Sequence, residues 1–379
     1  MKTAGRIFLG LSAAVLILWL VPWLYNLATL KSYSPPFTLY SPVVHDFTYL
    51  DREEGAKKSL RFIDREGNVY GDEVQPFFYA SLLHSRGEFP DSLDGRAITY
   101  KEAEDNSLVM TSRPREVAKR NPPVYLLMES VPVRMELQDP EDALVIRKDG
   151  IKVWNMASNK MLEDKTADLA SQLSSCGFVH PAKLLAGNPS HRKEYDEGYL
   201  VTDSKDQLFQ VKQVDGKMTA RSFPQASGLG IKHLIITEFK NHATLGYLID
   251  RDDRMHMLRP DGSVVATDVI FDPVKDNLLV VGDLFHYTVK VSDDDGEKFY
   301  ALDSSDFSTV DSMDRAYPLE DEVNLCEYIF PCRIRFVSSD DGYVKPRIQD
   351  LSLKGLLADL IILAGIILTI RKKKASQYQ

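Results

Sequence analysis

The sequence predicts a mainly β protein in which a propeller-like or antiparallel β-meander domain, with a few short helices, lies between two transmembrane helices. Three observations support this fold class. Short segments of alternating apolar residues are joined by Asp-Gly or Glu-Gly turns. Most of these hairpins recur roughly every 40–55 residues, close to the length of a propeller blade. An apolar run stands near each end of the chain.

The size and charge of the chain exclude some classes of protein. Its 379 residues, 44% of them hydrophobic, suffice for one large domain or two ordinary ones. A mean hydropathy of −0.23 argues against a polytopic transporter. The net charge of −9 argues against a nucleic-acid partner, because phosphate contact requires a basic face.

Residues 1–30 are predicted to form an N-terminal transmembrane anchor. The run from Ile7 to Leu30 carries no charge and is long enough to cross a hydrocarbon core of ~30 Å. A cleavable signal peptide is the alternative, but the run exceeds the usual apolar core of about 7–15 residues and no small-x-small cleavage site follows it. Trp19, Trp23 and Tyr25 are typical of an aromatic belt at the far interface.

Residues 351–370 are predicted to form a second transmembrane helix, followed by a basic cytoplasmic tail over 371–379. Short basic flanks stay in the cytoplasm, so Lys2, Arg6 and the RKKK cluster all point inward. Both termini are then cytoplasmic and the protein is a two-span protein of the inner (plasma) membrane, in contact with the lipid bilayer. Residues 31–350 form a β-rich domain outside the cytoplasm, which in a Gram-negative cell is the periplasm.

Asp359 interrupts the second apolar run about seven residues from its start. A bare carboxylate there costs on the order of 2.5–3.5 kcal/mol on insertion scales. One interpretation is a protonated or water-reached acid near the outer third of the bilayer. The other is a polar contact with a span of a partner protein, for which Gly10 and Ala14 offer a small-xxx-small face in the first run.

The large loop contains five predicted hairpins. Asp-Gly turns supply the positive φ angles that two-residue hairpin loops require. The sequence lacks a WD dipeptide and an Asp-box, so an ordinary β-sandwich with similar hairpins is the alternative to a propeller, and the number of blades stays open. The five hairpin segments cover residues 60–72, 144–156, 199–217, 247–265 and 287–303.

Three further segments of the loop have recognisable patterns. Residues 74–95 show helical spacing of apolar residues through Leu83, and residues 164–178 form a short amphipathic helix ending at Gly177. Residues 111–125 contain four basic residues and three prolines. They are interpreted as a basic linker, with a docking surface for an acidic partner as the alternative.

The cysteines offer one structural bond and one weak catalytic arrangement. The CEYIFPC spacing allows a Cys326–Cys332 disulfide in an oxidising compartment. Strand alternation would instead hold these two thiols on one face, too far apart to bond unless Pro331 bends the chain. Cys176 has a histidine, His180, four residues further on, but that spacing arises readily by chance.

The sequence predicts no catalytic, cofactor-binding or metal-binding residues. The acidic turn at 292–296 lacks the spaced acids and closing Glu of an EF-hand, and no HExxH, CxxC or phosphate-loop motif is present. Glu194, Asp196 and Glu197 could serve glycosidic acid–base chemistry if two of them faced each other at ~5–9 Å. The simpler interpretation is that they are solvated or pair with the neighbouring Lys193.

A set of short motifs in the middle of the chain is distinctive. The motifs are Glu129-Ser130, Arg134, Pro140, Gly177-Phe178, Pro181-Ala182, Gly187-Asn188-Pro189, Lys193 and Tyr195-Asp196-Glu197-Gly198-Tyr199. With these motifs, and with an earlier PFFYASLL…FPDSLDG block that also fits, the chain resembles a domain-of-unknown-function family of two-span envelope proteins from Bacteroidetes. The resemblance spans most of the chain and implies a companion of ABC-type export systems, with no established activity and no catalytic residues to carry over.

These features predict a non-catalytic accessory or sensor subunit of an inner-membrane, ABC-type transport complex, with a permease and ATPase as partners. A membrane-anchored periplasmic hydrolase is the first alternative, and it requires a deep pocket with two or more acids or a Ser/His pair. A ligand-binding or structural envelope protein is the second, and it requires an exposed aromatic patch. The sequence does not identify a substrate or small-molecule ligand.

Overall fold

A computed structural model describes two compact units. One covers Pro36–Ala316, and the other combines Met1–Pro35 with Tyr317–Gln379. Arg134, residue 31 and the end of the predicted tail, 377–379, lie outside the described residues. The described residues are 2–29, 33–51, 61–119, 122–131, 140–191, 193–318, 326–338 and 341–376.

The N-terminal helix α1 (Lys2–Thr29) confirms the predicted apolar helix. Within the described residues it is the one helix that is long and apolar enough to cross a membrane, a test that a signal sequence near the N-terminus also passes. Pro22 lies inside the helix, near its C-terminal end.

The Pro36–Ala316 unit is mainly β, as predicted, and its described residues form five antiparallel sheets of four or five strands. The first sheet contains β1 (Thr38–Ser41), β2 (Asp46–Asp51), β3 (Arg61–Ile63) and β4 (Val69–Tyr70). After a 3₁₀ turn (Asp72–Val74), the chain forms α2 (Ala80–Arg86), β5 (Ser92–Leu93), β6 (Arg96–Ala97), α3 (Tyr100–Asn106), β7 (Leu108–Ser112) and α4 (Pro114–Val117).

Three more sheets follow in chain order, each built from consecutive strands. The second contains β8 (Val124–Leu127), β9 (Asp142–Arg147), β10 (Gly150–Asn155) and β11 (Lys160–Met161), and is followed by α5 (Glu163–Ser175). The third contains β12 (Leu185–Gly187), β13 (Tyr199–Thr202), β14 (Leu208–Val214) and β15 (Lys217–Ser222), and a 3₁₀ turn (Pro224–Ala226) comes next. The fourth contains β16 (His233–Ile236), β17 (Gly246–Ile249), β18 (Arg254–Leu258) and β19 (Val264–Ile270).

The fifth sheet closes the unit with a strand from much earlier in the chain. It contains β20 (Asn277–Gly282), β21 (His286–Ser292), β22 (Gly296–Asp303) and β23 (Thr309–Ala316). Its remaining strand is β7, which pairs antiparallel with β20 from Leu108↔Gly282 to Ser112↔Leu278. The prediction of a linker over 111–125 is therefore wrong at both ends, because Thr111 and Ser112 are part of this sheet and Val124 and Tyr125 begin β8.

Neighbouring sheets share apolar cores, which gives the unit its propeller-like character. On β13, Tyr199 and Val201 pack into a core shared by the second and third sheets. Leu200, between them, faces a core shared by the third and fourth sheets. Further cores join the fourth sheet to the fifth and the fifth to the first. A sheet covered on both faces buries both sets of alternating side chains, as blades of a propeller do.

All five predicted hairpins are present, because their turns are encoded locally. The clearest case is the β14–β15 turn, where Asp215 (φ 50°) and Gly216 (φ 73°) both adopt positive φ. Two consecutive residues of positive φ define the two-residue turn that matches strand twist. The predicted helices also form, α2 ending at a left-handed Gly87 and α5 just before Gly177, whose φ is 86°.

The C-terminal segment belongs to the other unit and contains α6 (Cys326–Ile329), β24 (Arg333–Arg335), β25 (Arg347–Gln349) and α7 (Leu353–Ser376). The expectation that both cysteines lie on one strand is wrong, because Cys326 begins α6. Cys326 and Cys332 are not joined by a disulfide in the structure, so that bond stays a prediction for the oxidised protein. Helix α7 begins two residues after Leu351 and continues through the basic cluster.

Candidate functional site

A buried lysine–carboxylate cluster joins the third and fourth sheets. The side chains of Lys193, Asp196 and Glu238 are 5%, 4% and 2% exposed. The Lys193 ammonium donates to both carboxylate oxygens of Glu238 at 2.7 Å, to the Asn188 carbonyl at 2.6 Å, and to Asp196. One buried cation therefore serves two buried acids.

The two acids are also held by neutral donors. Glu238 accepts from the Asn188 side-chain amide at 2.9 Å and from the Glu197 backbone N–H at 2.8 Å. Asp196 accepts from the backbone N–H of Gly198 at 2.9 Å. Burial is the largest influence on Glu238 and raises the pKa of its carboxyl despite these bonds. A buried network whose members are all bonded adds rigidity, whereas a half-satisfied one would be costly.

The loop between β12 and β13 builds this cluster. Gly198 closes the loop with φ 67°, and a Cβ at this position would collide with the carbonyl oxygen of Val211 and with Lys212. Glycine alone fits such a turn at no steric cost. Glu238 arrives from the fourth sheet, two residues after β16 ends at Ile236.

A cavity of about 340 Å³ opens beside the cluster. Two acids line it, and each is bound by a lysine: Glu238 by Lys193, and the exposed Glu194 by Lys240 at 3.4 Å. A hydrolase is expected to have two acids in one cavity, but here each carboxylate already forms an ion pair with a lysine. The full lining is His191, Lys193, Glu194, Tyr195, Glu238 and Lys240.

The three acids singled out in the sequence point to three different partners. Asp196 binds Lys193, as the simpler interpretation expected. Glu197 accepts from the Lys212 ammonium at 3.2 Å and from the Gln210 side-chain amide at 2.7 Å. Glu194 pairs on the surface with Lys240, in the loop between β16 and β17. No two of the three share a partner within the described contacts, so the glycosidase arrangement has no support in this geometry.

The other motifs are structural. The Cys176 thiol donates to the Ala220 carbonyl at 3.3 Å, and His180 packs edge-on against Phe178. The acidic turn at 292–296 is a hairpin turn in which Asp293 accepts from two backbone amides. Within the described residues, no group of three or more His, Cys, Asp or Glu side chains is arranged to hold a metal ion.

Sequence patterns did not indicate two ion pairs of the structure, Lys193–Glu238 and His256–Asp250. Glu238 lies 45 positions from Lys193, and nothing near it in sequence announces the contact. His256 and Asp250 form a buried pair at 2.8 Å within the β17–β18 hairpin. Spacing across a two-strand hairpin could have suggested this second pair, because strand partners are predictable once the turn is known.

The predicted intramembrane contact residues are all exposed on the terminal helices. Asp359 lies on α7, and among the described residues it has no hydrogen-bond or ion-pair partner. Gly10 and Ala14 lie exposed on α1, and nothing comes within 4 Å of a Cβ built at Gly10. The predicted contact with a partner span stays a prediction.

Comparison with known proteins identifies a family and no activity. The model of the family described as "Domain of unknown function (DUF4857)" matches residues 37–302. This range is most of the Pro36–Ala316 unit, called the β unit below. No curated protein matches the chain. A solved structure titled "Structure of Dos1 propeller" is similar at 10% identity and a TM-score of 0.26, covering 46% of this chain. The chain spans about 45% of that structure's own length.

Proposed function

We propose that this chain, which belongs to the family of the domain of unknown function DUF4857, is a non-catalytic accessory or sensor subunit of an ABC-type transport complex in the inner membrane. Both terminal helices cross the membrane in this proposal, with both termini in the cytoplasm and residues 31–350 in the periplasm. The resemblance to two-span Bacteroidetes envelope proteins, companions of ABC-type export systems, motivates the class of partner.

The exposed carboxylate on α7 is the observation that carries the proposal. Asp359 sits among apolar, exposed residues such as Leu360 and Ile361 and has no partner among the described residues. In lipid, a carboxylate costs on the order of 2.5–3.5 kcal/mol unless a protein or water meets it. A polar contact from a neighbouring protein would offset this cost, and a subunit of a complex provides such a neighbour.

The chemistry of the β unit supports a non-catalytic role. The acids beside the cavity would need to exchange or accept protons in a hydrolase, and Glu238 is instead held by Lys193 at 2.7 Å. A hydrolase would need one of these acids released from its lysine before it could act. The cluster is better suited to fixing two sheets in one arrangement, which a sensor or scaffold domain requires.

Extraction of the tagged full-length protein from its own membranes in mild detergent tests the proposal. We expect a permease and an ATPase to co-purify in near-stoichiometric amounts. We expect Asp359→Leu to lose them, because the polar contact is gone. Ile362→Leu, at an exposed position three residues further along α7, is the matched control and should retain them.

Recovery of the protein alone and monodisperse would contradict the accessory role. The intact mass of the purified protein distinguishes this failure from a failure of the topology. A protein that retains α1 and yet has no partner refutes the role, whereas loss of the N-terminal residues would show that α1 is a cleaved signal sequence.

A further inference from the structure

A pocket in the unit formed by the two ends of the chain lies between α1 and the strand β24. Its volume is about 430 Å³, within the range of about 300–1,000 Å³ typical of small-molecule sites. The ring of Trp19 meets that of Phe336 edge-on, with 5.4 Å between centroids. The lining residues are Trp19, Pro22, Trp23, Asn26, Arg333, Ile334, Arg335, Phe336 and Val337.

The position of the pocket along α1 places it at the edge of a bilayer. Trp19 and Trp23 lie about 26 and 32 Å along the helix axis from Lys2, at ~1.5 Å per residue. A hydrocarbon core is ~30 Å thick, so these tryptophans reach the interface opposite the charged start of the helix. The pocket therefore opens where acyl chains meet headgroups.

The polar groups of the pocket are complementary to a phospholipid headgroup. Arg333 is bound to Asp350 at 2.7 Å, whereas Arg335 is exposed and forms no salt bridge within the described part of the chain. A guanidinium presents a planar fork of donors that matches a phosphate. The side-chain oxygen of Asn26, which also lines the pocket, is buried and has no hydrogen-bond partner among the described residues, so it can accept from a bound donor.

We propose that this pocket binds an anionic glycerophospholipid of the phosphatidylglycerol type. One acyl chain packs against the apolar surface that the tryptophans and Phe336 form together, and the phosphate lies against Arg335. A hydroxyl of the glycerol headgroup donates to the orphaned oxygen of Asn26. A phosphatidylcholine headgroup has the phosphate but no donor. This proposal requires α1 to be retained in the membrane, as in the proposed topology, but it does not require the transport complex.

Quenching of tryptophan fluorescence by brominated lipid tests this site in the full-length protein. A Trp154→Phe background leaves Trp19 and Trp23 as the fluorescent residues, since the chain has three tryptophans. The protein is placed in nanodiscs that contain a minor fraction of phosphatidylglycerol brominated on its acyl chains, in phosphatidylcholine. A second set contains the same fraction of brominated phosphatidylcholine in phosphatidylglycerol.

We expect the brominated phosphatidylglycerol to be enriched about fivefold at the tryptophans, the effect of one well-placed arginine at a lipid surface. Arg335→Glu should abolish the enrichment. Arg251→Glu, the same charge change at a residue 72% exposed in the β unit, should leave it intact. The unfolding temperature of each variant shows whether it is folded.

Equal quenching by the two lipids in the unmodified site would overturn the proposal, as would enrichment that survives in folded Arg335→Glu. If Arg335→Glu does not fold, Arg335→Gln replaces it and the same two results apply. Intact mass again separates the outcomes: a protein lacking α1 has no such pocket, whereas an intact protein without lipid preference refutes the site and leaves the accessory role standing.

Discussion

The buried acids of the Pro36–Ala316 unit and the exposed acid Asp359 of α7 differ in where their charge partners lie. In the β unit, Asp196 and Glu238 share one ammonium, that of Lys193, and backbone and side-chain amides satisfy them further. On α7, Asp359 is exposed and has no partner among the described residues. The acids of the buried cluster thus have their counter-ion within the described chain, whereas Asp359 has none there. An acid with a buried counter-ion stabilises the fold, whereas an exposed acid without one contributes little to it.

Removal of the shared cation should produce the largest effect. Lys193→Met keeps the length of the side chain but leaves two buried carboxylates without their counter-ion. We expect it to lower the free energy of unfolding by about 3–5 kcal/mol at pH 7, the usual cost of breaking a buried ion pair. Denaturant unfolding of the full-length protein in mild detergent measures this loss.

Lys240→Met is the matched control, because Lys240 is 45% exposed and pairs with an exposed acid. Its effect should stay below about 1 kcal/mol. The loss in Lys193→Met should shrink as the pH falls, because the raised pKa of Glu238 lets that acid take up a proton at a higher pH than an ordinary glutamate does. A loss under about 1 kcal/mol at pH 7 would mean that the cluster does not clamp the two sheets.

A further acid, Asp283, sharpens the contrast because, among the described residues, only backbone amides donate to its side chain. It accepts from Phe285 and His286 at 2.7 and 2.8 Å, and burial raises its pKa to about 6. The folded protein therefore binds this proton more tightly than the unfolded chain. Its contribution to the free energy of unfolding is fully present below about pH 4 and is lost as the pH rises to about 6.

Asp283→Asn should remove this pH dependence while keeping an oxygen that accepts the same two amides. We expect the free energy of unfolding of the variant, relative to that of the unmodified protein, to rise by up to about 3 kcal/mol between pH 4 and pH 6–7. This follows from ~1.4 kcal/mol for each unit by which the pKa is raised. Denaturant unfolding at several pH values gives the difference. Asp293→Asn, in an exposed turn of the same sheet, should show no comparable change, and an equal change there would refute the assignment.

The parts of the fold that the sequence predicted are those encoded within a few residues. Hairpin turns such as Asp215-Gly216 and the helix end at Gly177 depend on local φ angles, so composition and spacing reveal them. The β7–β20 pairing joins residues about 170 positions apart. Its strand carries little alternating pattern of its own, and the register depends on a sheet that forms elsewhere.

The buried cluster shows the same division between local and distant information. The Lys193–Asp196 contact lies within one turn of chain and was anticipated, whereas Glu238 comes from another sheet. Only the fold decides which distant acid meets a buried lysine. Asp359 was recognisable from sequence for the opposite reason: an acid inside an apolar run stands out without any knowledge of its surroundings.

Asp359→Leu should have the smallest effect on the chain itself. Since the carboxylate is exposed and has no partner within the described residues, its removal should change the free energy of unfolding of the purified protein by less than about 0.5 kcal/mol. Thermal and denaturant unfolding in mild detergent measure this. Leu363→Val, at an exposed apolar position one turn further along α7, is the control and shows how much a neutral substitution changes this free energy.

A loss above about 1 kcal/mol in Asp359→Leu would mean that the partner of Asp359 lies inside the chain. The carboxylate would then stabilise the fold, as the acids of the buried cluster do. A neutral result together with loss of the co-purifying subunits would assign its interaction to the partner.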